Sequence, residues 1–280
     1  MNRILCSTGA LIGKPNGYDY DLLPGAAEKL ECDGFELMYD DWDDPADAER
    51  VLKGIEAQTG KPFPVLHIEK RVGDLISRNA PGDSEEAVAA FEKNCSFAKR
   101  IGAEKLVLHL WSGMDSDKYL PHNMLMYRRL RGTAESMGLL LTAENVVCSF
   151  FDPMTHMRTL MEFFPDISFT FDTKMADFHG QLDEIYLPGN RRIWEHPVHL
   201  HVNDRAGEVK DWKALRTLHL GEGHIDIARF IRFVKETGYS GDITLEATSF
   251  RADGSIDLDS MNGSIRYVRE RLACDHAIKQ

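Results

Sequence analysis

The chain has 280 residues, 43% of them apolar and 28% charged, and carries a net charge of −12 at neutral pH. That length and composition suit one large α/β domain, since a β/α barrel takes about 250 residues. They exclude a membrane span, because no apolar run approaches the ~20 residues that a bilayer requires, and they argue against a broad nucleic-acid surface, which needs Lys and Arg to meet phosphates.

Met1 to Cys6 opens the chain as a strand, with no long apolar region and cleavage site behind it, so the expected compartment is the cytoplasm. Short apolar, β-branched runs then recur at residues 4–7, 34–39, 64–68, 106–110, 139–144, 168–172, 198–203 and 242–246. Their starts are about one βα unit apart. Eight such units predict a single-domain (β/α)8 TIM barrel over residues 1–280 rather than an open sheet. Between the third and fourth strands, Asp83 and Glu86 have the spacing of a capping box. Val88, Phe91, Cys95, Ala98 and Ile101 follow at helical spacing, and Gly102 stops the run. Asp226 is expected to cap a helix bearing Phe230, Ile231 and Val234, which ends at Gly238. Residues 70–83 and 204–224 read as long loops after strands three and seven, on the face where barrels carry their chemistry. The tail beyond Ala273 is expected to fray. Cys6, Cys32, Cys95, Cys148 and Cys274 are scattered without a C-x-x-C pair, which predicts reduced, mostly buried thiols.

The chemistry sits where the strands end. Strands three to eight close on His67, His109, Glu144, Asp172, His201 and Glu246. A barrel gathers these ends round one mouth, where three converging carboxylates repel unless a cation neutralises them. Carboxylate and imidazole together suit Mn²⁺, Mg²⁺, Co²⁺ or Zn²⁺. His199 and His201 share one strand face, so either can be the imidazole ligand. His201 lies nearer the strand end and is preferred, with His199 deeper in the barrel. Glu36 faces the same mouth from strand two.

At these residues the sequence resembles the xylose isomerase-like barrel superfamily, which includes endonuclease IV, ketohexose 3-epimerases and sugar phosphate isomerases/epimerases. The likeness runs from residue 4 to about residue 246. It rests on Gly34-Phe35-Glu36-Leu37, Ala143-Glu144-Asn145, Phe171-Asp172-Thr173, His201-Val202-Asn203-Asp204, Leu220-Gly221-Glu222-Gly223-His224-Ile225-Asp226 and Leu245-Glu246, in that order. The resemblance implies a fold, and it implies that Glu144, Asp172, His201 and Glu246 hold one divalent metal ion. It makes Arg205 a substrate-binding arginine and His67 and His109 substrate contacts or ligands of a second metal. Glu222 is expected to shape its loop. Two departures stand out. Met175 occupies the position where relatives carry a histidine three residues after the strand-six Asp, and His179 is not equivalent to it. Leu215-Arg216-Thr217 replaces the Asp-Arg-His of endonuclease IV, so a third zinc site is missing.

Chemically, this set predicts a metal-dependent isomerase or epimerase acting on a small sugar or polyol. The metal would polarise a carbonyl, Glu144 and Glu246 would move protons on either face, and an enediolate would form between the two transfers. Lys174 and Arg205 would hold hydroxyl or acidic groups, and Trp111 would stack on an apolar sugar face. A keto-polyol dehydratase shares the first step. An endonuclease IV-like phosphodiesterase and a non-catalytic sugar-binding barrel are the competing readings. The charge and the missing third-site residues oppose the phosphodiesterase. The sequence leaves the substrate and the oligomeric state open; relatives often form homo-oligomers.

Overall fold

A computed structural model describes residues 2–39, 45–113, 115–148 and 150–274. The tail expected to fray lies outside them except for Cys274. Eight strands form a closed, all-parallel barrel in chain order: β1 (Ile4–Ser7), β2 (Gly34–Met38), β3 (Val65–His67), β4 (Lys105–Leu108), β5 (Leu140–Glu144), β6 (Ser168–Asp172), β7 (Pro197–His201) and β8 (Asp242–Leu245). Around them lie α1 (Leu23–Lys29), α2 (Pro45–Thr59), α3 (Lys70–Arg78), α4 (Asp83–Ile101), α5 (Leu120–Ser136), α6 (Pro153–Phe163), α7 (Thr173–Phe178), α8 (Ile227–Glu236) and α9 (Leu258–Ala273). This is the (β/α)8 barrel that the spacing of the apolar runs predicts. No helix among the described residues is long and apolar enough to cross a membrane.

Alternation along each strand sorts the side chains into two environments. Cys6, Phe35, Leu37, Leu66, Leu108, Leu141, Phe169, Phe171, Leu200 and Leu245 join the core between barrel and helices. Leu5, Val65 and Val107 form a separate small cluster. The remaining buried residues in the register of this cluster are polar: Glu36 pairs with Val65, Thr142 with Val107 and Thr244 with Leu5, and Thr170 and His199 pair with each other. Thr142 Oγ1 lies 2.7 Å from Thr170 Oγ1, which satisfies two hydroxyls that would otherwise be stranded. At the N-terminal end, Asp242 is clamped by Arg3 (Nε to Oδ1, 2.7 Å) and Lys105 (Nζ to Oδ2, 2.5 Å).

Two local expectations are corrected. The long loop after β3 contains a helix, α3. Its Val72, Leu75 and Ile76 are buried, and Gly73 lets it press onto the segment just after β4, where an added Cβ would meet the His109 carbonyl oxygen at 2.3 Å. The capping box at Asp83 does not form. Gly82 takes the cap position in a left-handed conformation (φ 90°), while Asp83 turns back to the Ala80 N–H at 2.7 Å and to the Arg78 guanidinium. Asp226 does cap α8, accepting the Arg229 N–H at 2.9 Å.

The segment after β7 stays irregular but is firmly tied down. Asp204 pairs with Leu218 in an antiparallel bridge. Its carboxylate accepts the backbone N–H groups of Arg205, Gly221, Gly223 and Ile225. Gly223 is required by space: a Cβ there would meet the Arg205 carbonyl oxygen at 2.2 Å. Glu222 shapes the same loop by accepting the His219 N–H at 3.1 Å.

Candidate metal centre and active site

Strand register brings the donors together. Asp172, the last residue of β6, pairs with His201, the last of β7. Glu144 ends β5, and Glu246 follows β8. His201 Nδ1 lies 3.3 Å from Glu246 Oε2, 3.5 Å from Glu144 Oε1 and 4.0 Å from Asp172 Oδ2. Despite these neighbours Nδ1 has no hydrogen-bond partner. An ion about 2.1 Å from each donor holds them within about 4.2 Å of one another. Donor atoms of Glu144, Asp172 and His201 lie within 4.8 Å of one another, and Glu246 stands beside His201, so the first three with the unpartnered Nδ1 fit a shared divalent cation and Glu246 is placed to join them.

The orientation of His201 is set from behind. Its Nε2 lies 3.1 Å from both oxygens of Glu36, which is fully buried on β2. A carboxylate there takes the Nε2–H and leaves the imidazole lone pair at Nδ1, the tautomer a metal ligand needs. His199, two residues earlier, sits deeper. Its Nε2 meets Glu36 Oε2 at 2.7 Å and Thr244 Oγ1 at 3.1 Å. His199 thus braces Glu36 and does not join the donor ring.

Two asparagines, not singled out by their sequence positions, complete the frame. Asn145 exchanges hydrogen bonds with the Asp172 backbone, accepting its N–H at 2.6 Å and donating to its carbonyl at 3.0 Å. Asn203 accepts the Glu246 N–H at 2.8 Å and donates to Asp172 Oδ2 and Glu246 Oε2, both at 3.4 Å. The sequence signal was their place beside Glu144 and His201, on strand ends already rich in donors.

The electrostatics match this crowding. Asp172 is pushed up to about 6 by burial and by the Glu144 and Glu246 carboxylates, against the pull of Lys174 and His201. Burial disfavours a charged His201, but Glu246, Glu36 and Glu144 outweigh it and hold the imidazole well above its ordinary value. Burial likewise disfavours ionised Glu144 and Glu36. For Glu144, His109 and His201 prevail; for Glu36, His201 and His199 do, and both carboxyls lie well below the usual range.

His67 and His109 stand beside Glu144. His109 Nε2 lies 2.9 Å and His67 Nε2 3.5 Å from Glu144 Oε2, and the two Nε2 atoms are 3.2 Å apart. His67 Nδ1 lies 3.0 Å from the Ile68 carbonyl, which can only accept, so this nitrogen carries a proton; burial disfavours a charged ring, but Glu144, Glu36 and Glu246 outweigh it and hold His67 above its ordinary value.

A cleft of about 360 Å³ opens above the donors, lined by Ser7, Tyr18, Lys70, Lys174, Thr217 and Glu246 among others. That volume lies in the range of small-molecule sites. The Glu246 side chain is 14% exposed and that of Glu144 1%, so Glu246 faces the cleft and Glu144 lies beneath. Lys174 Nζ donates to Thr217 Oγ1 at 2.8 Å and sits 3.8 Å from Asp172 Oδ2. A larger groove, about 550 Å³, lies beside Trp194, Pro197 and Tyr239, away from all of these donors.

Two expected substrate contacts are placed differently. Trp111 is 1% exposed, donates its indole N–H to the Val146 carbonyl at 3.2 Å, and packs on His156 with ring centroids 4.4 Å apart. It is a wall residue with no free face for a sugar. Arg205 is buried, with Nε on Asp177 Oδ2 at 2.8 Å and Nη1 on the Ala206 and Glu208 carbonyls at 3.3 and 3.1 Å. Those bonds commit its guanidinium to the loop. At the departing position, the Met175 N–H is capped by Asp172 Oδ1 at 3.0 Å.

Comparison with known proteins agrees with the fold. The curated proteins contain no match in sequence. Among solved structures, D-allulose 3-epimerase from Methylomonas sp., in complex with D-allulose, superposes with a TM-score of 0.73 at 14% identity, covering 96% of this chain and 97% of that one. A D-tagatose 3-epimerase-like protein gives 0.72 at 19% identity over 97% and 100%. The 3-keto-D-glucoside 4-epimerase from E. coli, in its apo form, gives 0.68 at 13% identity over 96% and 100%. At such identities these likenesses speak for the fold. The family model described as xylose isomerase-like TIM barrel matches residues 24–270, and the chain therefore belongs to the xylose isomerase-like TIM barrel family.

Proposed function

We propose that the protein is a metal-dependent isomerase or epimerase of a small sugar or sugar derivative, working by proton transfer next to a carbonyl. The observation that carries this reading is His201 Nδ1, buried, unpartnered and ringed by carboxylate oxygens of Glu144, Asp172 and Glu246. These four residues would hold the ion. When bound, a divalent cation supplies Lewis-acid polarisation of a substrate carbonyl, which acidifies the neighbouring C–H.

The chain's own residues do the rest. Glu246 faces the cleft and removes the proton from one side of the substrate. Glu144 reaches in from β5, three strands round the ring, and returns a proton from the other side. His109 and His67, on Glu144 Oε2, keep that carboxylate ionised between turnovers and relay its proton. Lys174 meets a substrate hydroxyl or acid group. The D-allulose 3-epimerase named above is in complex with D-allulose, a ketose, which supports a ketose or keto-sugar as substrate class.

The test is exchange in deuterated water with the metal-loaded protein and a panel of ketoses, aldoses and sugar acids. Solvent deuterium is expected at the carbon beside the carbonyl, and Glu144→Gln or Glu246→Gln should each slow exchange by at least about 100-fold. An absence of exchange across the whole panel overturns the reading. Product analysis in the same samples separates reprotonation from loss of a β-hydroxyl, the dehydratase outcome.

One observation favours a second ion. Donor atoms of His67, His109 and Glu144 all lie within 4.8 Å of one another. The phosphodiesterase reading needs such a second ion, and nicking of an abasic duplex would establish that activity directly.

A further inference from the structure

Away from the barrel mouth, three residues from two loops and a helix converge with no role in the chemistry above. Asp117 precedes α5, Cys148 follows β5, and His156 lies in the second turn of α6. All three are fully buried, and one ligand atom from each lies within 4.8 Å of the others. Asp117 Oδ2 is 3.0 Å from His156 Nε2 and accepts the Phe151 N–H at 2.8 Å, while Oδ1 accepts the Phe150 N–H at 3.2 Å. Hydrogen bonding therefore explains the carboxylate.

It also reaches His156 Nε2 and the Cys148 thiol, both bonded to Asp117, but it leaves other imidazole nitrogens unmatched. His156 Nδ1 is buried without a partner. His179, more than nine-tenths buried, has neither ring nitrogen partnered, and it feels the charges of both Asp117 and His156. Burying an imidazole with both nitrogens unsatisfied is costly unless something else uses the lone pair. Burial, with Lys210, pushes His179 down to about 4, so its lone pair is free at neutral pH. Burial likewise holds the Cys148 thiol up in its protonated form, a state that metal ligation reverses by releasing the proton to solvent.

We propose that Asp117, Cys148 and His156 form a second cation site, separate from the barrel mouth, that takes a thiophilic divalent ion, zinc by its donor set. Mixed thiolate, imidazole and carboxylate ligation is a zinc combination, and a tetrahedral ion needs one donor more, which water supplies unless His179, outside the group of donors within 4.8 Å of one another, moves inward. Such an ion ties the loops after β4 and β5 to α6. It would brace the wall formed by Trp111, which packs directly on His156.

The test replaces all bound metal with Co²⁺ in the full-length chain. The Glu144 set contains no sulfur, so a near-ultraviolet sulfur-to-cobalt charge-transfer band reports the new site alone. The band is expected in the wild type and in Glu246→Gln. It should vanish in Cys148→Ser together with one equivalent of bound metal, and it should persist in Cys274→Ser. X-ray absorption of the zinc-loaded wild type, which needs no variant, should show a sulfur neighbour at about 2.3 Å. A saturated Co²⁺ protein without the band, a band that survives Cys148→Ser, or a zinc shell of nitrogen and oxygen only overturns the proposal. Because none of these readouts depends on turnover, they stand or fall separately from the epimerase reading.

Discussion

Glu36 shows how one residue outside the donor ring can govern it. It is fully buried, and its two oxygens hold the Nε2 atoms of His199 and His201 together. Residues that orient a metal-bound histidine typically set affinity by 10- to 100-fold. Glu36→Gln keeps the shape but loses the charge, and metal affinity should fall by about 10- to 100-fold with the fold intact. Competition titration against a chelator measures this; an unchanged dissociation constant would show that His201 needs no brace. Trp111 and Arg205 teach the complementary lesson. Both residue types suit sugar binding, but the indole N–H is spent on Val146 and the guanidinium on Asp177. Residue type was legible in the sequence; the hydrogen-bond partner, which decides whether a side chain is free, comes from a segment far along the chain.

At the level of elements, strand ends carried most of the information. The eight strands were readable because apolar, β-branched runs recur at βα spacing, and β1 and β6 were bounded to the residue. Helix α3 was not readable as such. It is a short, charged stretch with Gly73 in its middle, and glycine usually weakens a helix. Contact decides the matter: Gly73 lies against the His109 carbonyl, and any side chain there collides with the backbone that carries a site histidine. Gly73→Ala should therefore destabilise the protein by about 1–3 kcal/mol although alanine favours helices, because the strain exceeds the propensity gain. Urea denaturation measures the first effect, and a displaced His109 resonance in NMR spectra would register the second. A variant as stable as the wild type would mean that α3 can shift without cost.

For the whole molecule, charge is divided between the two ends of the barrel. The mouth concentrates carboxylates that call for a cation. The opposite end buries Asp242, and there the compensating charges are built into the chain as Arg3 and Lys105. Burial pushes the Asp242 carboxyl up, but Arg3 and Lys105 outweigh it and leave it below its ordinary value. A carboxyl with a lowered folded pKa stabilises the fold fully above its unfolded pKa, about 3.9. That contribution is lost as pH falls through the lower, folded value. Stability should thus drop on acidification below about pH 4, and Asp242→Asn should flatten this acid limb while costing about 1–3 kcal/mol near neutrality. Denaturation midpoints across pH 2–7 give both quantities; equal slopes in wild type and variant would remove Asp242 from the acid response.

The sequence by itself determined the barrel, the positions of its strands and the residues that end them, because periodicity and residue type are local properties. It also limited the chemistry to carboxylates and imidazoles at one mouth. Only the tertiary structure decided which of these groups meet. It turned His201 Nδ1 toward the carboxylates by way of Glu36, paired His67 and His109 with Glu144, and set Asn203 between Asp172 and Glu246. It also gathered Asp117, Cys148 and His156, which nothing in their spacing connects. The physical reason is distance: hydrogen bonds and ligand sets form over about 3 Å, and barrel closure brings residues from β2, β5, β6, β7 and β8 to within that range.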